Sequence, residues 1–445
     1  MKQLRDFPRT LPGALFTGAF AVTSILSVSH PAQALFQDSP KAVLDEAWQI
    51  VNREYVDTAF NQVDWMAVRQ QLLSRNYSST QEAYNALRQE LERLGDPYTR
   101  FLDPEQYRAL TNQTSGELSG VGVRLRVDAN SKMLTVVEPI ANSPASEAGI
   151  RAGDRIVAID GKSTRGMTVE AASRLIQGEI GTQITLKIER EGQRPFELPL
   201  TRARIELSNV SHALRQENGA RIGYIRLTEF SGHAPEQMRE AMENLLKQNV
   251  EGFVLDLRGN PGGLLQASVE IARLWLDSGS IVRTVDRRGA SEEIKANQTA
   301  MTKLPLAVLV DGGSASSSEI LTGALMDNNR AVVVGSQTFG KALVQSVHAL
   351  SDGSGLAVTI AHYYTPGGLD ISHRGITPNV EISLSEGERR TLLTNQALIG
   401  TDNDPQYLQA VNALKPTIAL NRRNPTPSPS LLQLSVGQGQ QQSTQ

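Results

Sequence analysis

The stretch "LAVLVDGGSASSSEILTGALMD", Leu306 to Asp327, contains the pattern on which the fold depends. Its five leading apolar residues predict a buried strand, a loop with four serines follows, and the remaining residues predict a helix over 317–328. A strand that runs through a short loop into a helix is the building unit of parallel α/β sheets. The stretch therefore predicts an α/β core, and it raises the question of whether one of the serines is a nucleophile.

The same pattern repeats through the second half of the chain, over about residues 204–400. Further apolar segments predict strands, and segments with apolar residues at helical spacing predict helices between them. The strands are "RIGYIRL", "GFVLDLRG" and "AVVVGSQ", and the helices cover 234–248 and 264–277. Such alternation implies a largely parallel sheet covered by helices, with ligands bound beyond the carboxyl ends of its strands.

Two segments of different character precede this core. Residues 41–110 carry apolar side chains at helical spacing, including a helix that opens with a capping box from Ser79 to Glu82. Residues 111–203 alternate short strands with glycine turns. The expected fold is therefore an α/β core with an all-β insert and an N-terminal helical segment.

The chain begins with the features of an export signal. A positive region at Lys2, Arg5 and Arg9 precedes an uncharged apolar run, "ALFTGAFAVTSILSV", and the small residues "PAQA" of a cleavage site. Because the run is shorter than the about 20 residues that span a bilayer, we expect residues 1–34 to be removed; a retained anchor is the alternative. At the other end, residues 420–445 are rich in Pro, Ser and Gln and predict a disordered tail.

The composition of the 445-residue chain excludes several classes of function. A net charge of −3 without a basic stripe gives no sign of a nucleic-acid partner. The absence of cysteine excludes disulfides, thiolate catalysis and cysteine–zinc sites. The six histidines follow no metal-ligand spacing, so we expect neither a metal nor an organic cofactor.

Three loops at the ends of predicted strands carry residues suited to acyl transfer. In "DLRGNPGGLL" (256–265), glycines let N–H groups face a cleft, as an oxyanion hole requires, although many tight turns look alike. In "DGGSASSSEI" (311–320), a serine at the helix start either exposes its hydroxyl for reaction or caps the helix. In "GSQTFGKALVQ" (335–345), apolar neighbours would lower the pKa of Lys341 and make it a general base; the alternative is a solvated lysine.

Together the three loops resemble those of the C-terminal processing peptidases, or tail-specific proteases (CtpA type, peptidase family S41). The resemblance covers about residues 43–385, and "GSASSSE" and "TFGKALVQ" carry it most specifically. It implies a crotonase/ClpP-like α/β serine peptidase core at 204–400 with a PDZ domain inserted at 111–203. In this family the lysine follows the nucleophile by 25 residues, which points to Ser316 and Lys341 here.

The resemblance assigns a role to each residue of the expected site. Ser316 is the expected nucleophile and Lys341 the base, while Gln345, one helical turn past Lys341, is expected to orient the lysine amine. The backbone N–H groups of Gly262 and Ser317 are the expected oxyanion donors. Ser317 departs from the family's alanine and Ala342 from its glycine, but both residues are small, so we expect the geometry to survive.

Other matching positions have structural explanations. Glu319 and Asp327 match acidic family positions, and a structural ion pair is the favoured account of each. The segment "LGDPYTRFL" (94–102) is likewise interpreted as structural. The remaining loop serines are expected to cap the helix or to pack: Ser314, Ser317 and Ser318.

The sequence "ELSGVGVRL" resembles the carboxylate-binding loop of PDZ domains. The N–H groups of such a loop hold a free C-terminal carboxylate while the peptide adds as a strand beside Val123–Val127. The alternative is a small β module without a ligand. The residues expected to bind the substrate are Leu118, Ser119, Gly120, Val121, Gly122 and Val123.

The resemblance thus implies an exported serine endopeptidase of the periplasm or thylakoid lumen that cleaves proteins near their free C-termini. Members of the family mature the D1 protein of photosystem II, but the motifs do not distinguish such a member from paralogues with other substrates. The alternatives are a non-catalytic PDZ scaffold and a crotonase-type acyl-CoA enzyme. The apolar N-terminal helices could serve a homodimer interface.

Overall fold

The computed structural model describes residues 39–128, 131–217 and 219–423. The export signal expected at 1–34 lies outside these residues, as does most of the expected tail. Within the described ranges, no helix combines the length and the apolar character that crossing a membrane requires.

The N-terminal segment forms helices around a hydrophobic core that it shares with Leu356 and Val358 of a later strand. The elements are α1 (Pro40–Glu54), α2 (Trp65–Ser74), α3 (Thr80–Glu92), β1 (Arg100–Leu102) and α4 (Pro104–Ser115), with a 3₁₀ turn at Phe60–Gln62. Trp48 and Trp65 stack with ring centroids 6.5 Å apart. Of the predicted capping box only one half forms within the described residues: the Ser79 side chain accepts the Glu82 N–H at 3.2 Å, whereas the Glu82 carboxylate accepts the Ser78 N–H at 2.8 Å. The sequence pattern does not predict β1, which ties this segment to the core.

The all-β insert contains a six-stranded sheet and a separate two-stranded sheet, here called the stalk. Its elements are β2 (Glu117–Gly120), β3 (Val123–Val127), β4 (Leu134–Pro139), α5 (Pro144–Glu147), β5 (Arg155–Ile159), β6 (Lys162–Ser163), α6 (Val169–Ile176), β7 (Gln183–Glu189), β8 (Phe196–Thr201) and β9 (Ala203–Glu206). The sheet order is β3-β4-β5-β7-β8, with the short strand β6 paired to β5, and the stalk is the antiparallel pair of β2 and β9. Since β3 ends this sheet, one of its edges is unpaired in the part of the chain that the structure describes.

The remaining described residues form the α/β core. Its elements are β10 (Val210–Glu217), β11 (Ala220–Leu227), α7 (Ala234–Lys247), β12 (Gly252–Asp256), α8 (Leu265–Trp275), β13 (Ser280–Asp286), β14 (Ser291–Lys295), β15 (Leu306–Val310), α9 (Ser317–Asp327), β16 (Val332–Gly335), β17 (Leu343–Ala349), β18 (Gly355–Tyr364), β19 (Val380–Glu381), α10 (Glu386–Thr394) and α11 (Pro405–Arg423). The main sheet has the order β10-β11-β12-β15-β16-β19. Only β10 runs antiparallel to its neighbour, so the sheet is largely parallel, as the alternation of strands and helices predicts.

Both faces of the main sheet are buried. In β12, Phe253 and Leu255 pack toward the helices α7, α8 and α9, whereas Val254 between them packs toward α11. Burial on both faces explains why the strands read as continuous apolar runs. Helix α11 continues to Arg423, so residues 420–423 of the tail expected from 420 onward are helical.

A second, antiparallel sheet lies beside the main one. Its order is β1-β18-β13-β14, and β17 also pairs with β18. Its strands come from parts of the sequence near residues 100, 283, 345 and 360, so no local pattern predicts that they pair. Strand β17 begins two residues after Lys341, and this sheet therefore positions the third of the three loops.

Candidate active site

Ser316 lies between β15 and α9 in a strained backbone conformation. Its φ of 55° and ψ of −114° are unusual for a residue with a side chain. Within the described residues the Ser316 hydroxyl donates no hydrogen bond, and the side chain lines a cleft of about 340 Å³. Ser317 begins α9, and its N–H has no hydrogen-bond partner within the described residues, as is usual in the first turn of a helix. In the part of the chain that the structure describes, the Ser316 hydroxyl and the Ser317 N–H therefore both remain available as hydrogen-bond donors.

The neighbouring serines join the second loop to the first. Each hydroxyl donates to a carbonyl oxygen of the glycine-rich loop or of the residue that leads into it. These bonds run from Ser314 to Leu257 at 2.8 Å, from Ser317 to Gly263 at 2.9 Å, and from Ser318 to Asn260 at 2.9 Å. The three hydroxyls are committed to packing, which leaves Ser316 as the reactive candidate.

The glycine-rich loop packs directly against Ser316. Gly262 has φ +104°, and a Cβ there would lie 2.7 Å from the Ala315 carbonyl oxygen and 2.9 Å from the Ser316 Cβ. The Gly262 N–H, an expected oxyanion donor, already donates to the Asn260 Oδ1 at 2.9 Å. The next N–H, that of Gly263, makes no hydrogen bond in the described part of the chain. The free donors facing this region are thus those of Gly263 and Ser317.

Arg258, in the same loop, forms a buried network that the sequence reading missed. Its guanidinium pairs with Asp256 at 2.5 Å and with Asp404 at 2.7 Å. A further hydrogen bond of 2.9 Å to Gln406 completes the use of its donors. Because Asp404 lies just before α11, this network anchors the glycine-rich loop to the last helix of the core. The signal in the sequence was an arginine within an otherwise apolar and glycine-rich stretch.

Lys341 reaches the same cleft from the third loop. Burial lowers its pKa, the charge of Arg100 lowers it further, and the charges of Asp96 and Glu319 act in the opposite direction. The amine lies 4.3 Å from the centroid of the Tyr98 ring. In the described residues no hydrogen bond joins this amine to Ser316. The serine and the lysine thus line one cleft without a hydrogen bond between their side chains in the described residues.

The expectation for Gln345 was wrong in one respect. It does not lie one helical turn past Lys341, because residues Leu343–Ala349 form strand β17. β17 adopts the extended form because it pairs along its length with β18. Gln345 nevertheless lines the cleft, where its Nε2 is buried without a hydrogen-bond partner among the described residues.

Glu319 connects the serine loop to the lysine loop, and the expected ion pair is absent from the described residues. Its carboxylate is fully buried and accepts the Ser316 and Lys341 N–H groups, each at 2.9 Å. It also accepts the Gly340 N–H at 2.7 Å and the Thr338 hydroxyl at 2.6 Å. The charge is thus stabilised by hydrogen bonds rather than by a cation. Asp327 likewise accepts a backbone N–H, that of Gly367 at 2.8 Å, instead of forming an ion pair.

Tyr363 of β18 contacts the backbone of both the serine loop and the lysine loop. Its buried hydroxyl lies against the carbonyl oxygens of Ser316, at 3.1 Å, and of Lys341. Burial raises the pKa of this hydroxyl well above its usual value, so it remains a donor. Nothing in the local sequence of β18 marks this tyrosine, because its role depends on the pairing of distant strands.

The segment "LGDPYTRFL", expected to be structural only, forms part of the cleft. Tyr98 and Arg100 line it together with residues of the three loops, of α4 and of β17. Strand β1 brings them there, because Arg100 pairs with Ala357 of β18. The cleft also contains one carboxylate, that of Glu229, which accepts a hydrogen bond of 2.5 Å from Gln113 of α4 and whose pKa burial raises.

A second pocket lies in the insert, between β3 and α6. All six residues of the expected carboxylate-binding loop line it, and its apolar wall includes Leu125, Ile140 and Ile176. The N–H groups of Val121 and Gly122 donate no hydrogen bond within the described residues. Gly122 has φ +79° and packs against Ser143, so a side chain there would collide with it. Within the same ranges, no cluster of three or more carboxylate or histidine side chains could hold a metal ion.

Comparison with known proteins places these two sites in a family. Residues 221–382 match the model of peptidase family S41, and residues 135–190 match that of the PDZ domain. A carboxyl-terminal-processing protease of Picosynechococcus is 44% identical over 380 residues, which cover 85% of this chain and 90% of the relative. The chloroplastic carboxyl-terminal-processing peptidase 2 of Arabidopsis thaliana is 40% identical over 396 residues, covering 85% and 76%.

Among solved structures, a photosystem II D1 C-terminal processing protease is similar, with a TM-score of 0.52 and 37% identity. The match covers 83% of this chain and 99% of that protein. The fold of the core is therefore that of a peptidase, and the chain also carries a PDZ domain. The chain belongs to the carboxyl-terminal-processing proteases of peptidase family S41. The resemblance and the fold class drawn from the sequence are confirmed.

Proposed function

We propose that this processing peptidase is a serine endopeptidase in which Ser316 is the nucleophile and Lys341 the general base. The observation that carries the proposal is that both side chains line one cleft, with Ser316 in a strained loop and the pKa of Lys341 lowered. A lysine is a base only when its amine is neutral, and burial favours the neutral form. Strain at a partly exposed serine is a common property of nucleophiles.

The reaction follows from these two groups. Lys341 takes the proton of the Ser316 hydroxyl as the oxygen attacks the substrate carbonyl carbon, and an oxyanion forms. The lysine then gives the proton to the leaving amine, and an acyl-enzyme remains for water to hydrolyse. Because the amine now contacts the Tyr98 ring, the Lys341 side chain must turn toward Ser316 when substrate binds.

The oxyanion would be stabilised by backbone N–H groups at the start of α9 and in the glycine-rich loop. The Ser317 N–H is free and lies at the positive end of a helix. Its partner would be Gly262, if its bond to Asn260 opens, or Gly263, whose N–H is free. Gln345, with its buried amide nitrogen unpaired, is suited to hold the turned lysine amine through its side-chain oxygen.

The PDZ domain would bind the free C-terminus of the substrate. The pocket between β3 and α6 supports this role, since it joins unpaired N–H groups to an apolar wall. A bound peptide would extend the sheet along the free edge of β3. The substrate would then be a protein whose tail is captured before it is cleaved.

The substrate class can be narrowed by similarity. A relative with 37% identity is named as the D1 processing protease of photosystem II, and another is chloroplastic. Together with the features of an export signal at 1–34, this supports an exported enzyme of the thylakoid lumen or periplasm, with the D1 precursor as a candidate substrate.

The experiment that tests the proposal compares peptidase activity among variants. Ser316→Ala and Lys341→Ala should each abolish cleavage of a peptide with a free C-terminus, while thermal unfolding remains cooperative. Ser291→Ala and Lys303→Ala are matched controls, because both residues are exposed and distant in the fold from the cleft lining. Full activity of either test variant would refute the assignment. Failure of the protein to bind coenzyme A counts against the acyl-CoA alternative, and loss of activity in Ser316→Ala counts against a scaffold.

A further inference from the structure

The N-terminal segment contributes two side chains to the surroundings of the lysine amine. The Tyr98 ring lies under the amine, with 4.3 Å between the Nζ and the ring centroid. Arg100, two residues later, lines the same cleft, and its positive charge acts on Lys341. Neither residue belongs to the three loops that bear the proposed catalytic groups.

The backbone turn that carries the two side chains is held by hydrogen bonds. The Asp96 carboxylate accepts the Tyr98 N–H at 2.9 Å and the Thr99 hydroxyl at 2.7 Å. The Thr99 hydroxyl oxygen in turn accepts the Thr359 N–H of β18 at 3.0 Å. Since β18 also pairs with β17, which follows Lys341, the turn and the lysine loop are held by one sheet. The contact between the Tyr98 ring and the Lys341 amine therefore depends on the pairing of these strands and not on a mobile surface side chain.

We propose that Tyr98 and Arg100 are positioning residues of the active site, with Tyr98 fixing the place of the Lys341 amine and Arg100 opposing its protonation. The catalytic part of this inference rests on the proposed role of Lys341 as the base. The effects of Tyr98 and Arg100 on the Lys341 amine do not depend on that role. The face of an aromatic ring attracts an ammonium ion, whereas a neighbouring guanidinium repels it. The two residues therefore act on the lysine in opposite directions.

The other charges around Lys341 do not cancel the effect of Arg100 on its protonation. Asp96 and Glu319 both favour the ammonium form. Both carboxylates are already engaged, Asp96 with the turn and Glu319 with four donors from the two loops. Burial and Arg100 outweigh them, since the pKa of Lys341 is lowered overall. Removal of Arg100 should thus shift the balance toward the ammonium.

The test measures the lysine itself. In a Ser316→Ala background, trace acetylation with acetic anhydride over a range of pH, followed by mass spectrometry of the Lys341 peptide, gives the pH of half-maximal labelling. Arg100→Gln should raise this pH and Tyr98→Leu should lower it, whereas Tyr98→Phe, which keeps the ring, should match the parent. Arg108→Gln is the control, because Arg108 is an exposed arginine of the same segment that does not line the cleft.

A second measurement links the inference to activity. With Ser316 present, Arg100→Gln should lower kcat/KM at pH 7 about threefold to tenfold and move the rising limb of the pH profile to higher pH. Equal labelling curves for Arg100→Gln and Arg108→Gln, or shifts of the same sign for Arg100→Gln and Tyr98→Leu, would overturn the inference. Labelling shifts of the expected signs with an unchanged pH–rate profile would uphold it and instead refute Lys341 as the base. If Tyr98→Leu does not fold, the comparison of Arg100→Gln with Arg108→Gln decides the outcome, because Arg100 is exposed.

Discussion

The Glu319 carboxylate accepts the backbone N–H of Lys341 at 2.9 Å, with the same oxygen that accepts the N–H of Ser316. One buried side chain thereby fixes the spacing of the two backbone segments that carry the proposed nucleophile and base. Hydrogen bonds to charged acceptors are stronger than those between neutral groups, so the connection is stiff.

Replacement of Glu319 by glutamine should therefore damage both activity and stability. The amide would direct its NH₂ group toward donors that need an acceptor, and buried unsatisfied donors cost about 1–3 kcal/mol each. We expect kcat to fall by about a hundredfold and the free energy of unfolding to drop by about 3 kcal/mol. Peptidase kinetics and urea unfolding measure the two effects. Glu388→Gln, an exposed helix-cap carboxylate, is the control; equal behaviour of the two variants would contradict the role of Glu319.

Two glycines of the glycine-rich loop allow the effect of backbone strain to be measured separately from the effect of a steric clash. Gly259 and Gly262 both have positive φ, of +69° and +104°, but a Cβ at Gly259 meets nothing within 4 Å. Gly259→Ala should cost about 1 kcal/mol of stability and keep most activity. In Gly262→Ala the added methyl group should clash with Ala315 and Ser316. We expect this clash to reduce kcat/KM by at least about a hundredfold. Comparable kinetics for the two variants would show that the loop does not press on Ser316.

The lowered pKa of Lys341 predicts how stability depends on pH. The amine binds its proton less readily in the folded than in the unfolded chain, where the pKa of a lysine is about 10.4. Between these two pKa values the unfolded state holds more protons, so stability should rise with pH. Below the folded pKa the penalty is fully present. Lys341→Met should therefore be more stable than the parent at pH 7 by chemical denaturation, with the difference shrinking toward pH 10 to 11. An unchanged difference across this range would contradict a buried, shifted lysine.

The network of Arg258 predicts that the C-terminal helix supports the active-site loop. Asp404→Asn would break one side of a buried ion pair, which typically costs about 3–5 kcal/mol. We also expect a lower kcat, because Arg258 precedes the glycines that pack on Ser316. Thermal unfolding and peptidase assays provide the measurements. Asp402→Asn, an exposed neighbour, should behave as the parent, and a harmless Asp404→Asn would show that the network is dispensable.

The proposed capture of the substrate tail depends on a free carboxylate. A peptide substrate with an amidated C-terminus loses the charge that the Val121 and Gly122 N–H groups would bind. Hydrogen bonds to a charged group contribute about 1.5–3 kcal/mol, so affinity should weaken about tenfold to a hundredfold. Calorimetry with the Ser316→Ala protein measures binding without cleavage. Equal affinity for amidated and free peptides would exclude this mode of recognition.

Much of the fold follows from local patterns in the chain. The strands of the main sheet carry long apolar runs because they are buried on both faces, so strands such as Leu306–Val310 could be predicted within a few residues. The glycine-rich loops also stand out, because positive φ and close packing restrict them to glycine. Gln345 was placed in a helix because its four-residue spacing from Lys341 resembles a helical turn, whereas pairing with β18 makes the segment a strand.

The sequence by itself determined the α/β core and the inserted β module, since these depend on short segments with strong local preferences. The class of the chain and the candidates Ser316 and Lys341 came from the resemblance of three short motifs to a known family. Only the tertiary structure decided what surrounds them: the Glu319 carboxylate between two loops, the Tyr363 hydroxyl beneath them, and the Tyr98 ring under the lysine amine. The reason is physical. Apart from the bond between Ser316 and Glu319, these contacts join residues that are far apart along the chain, and the pairing of strands β1, β17 and β18 brings them together.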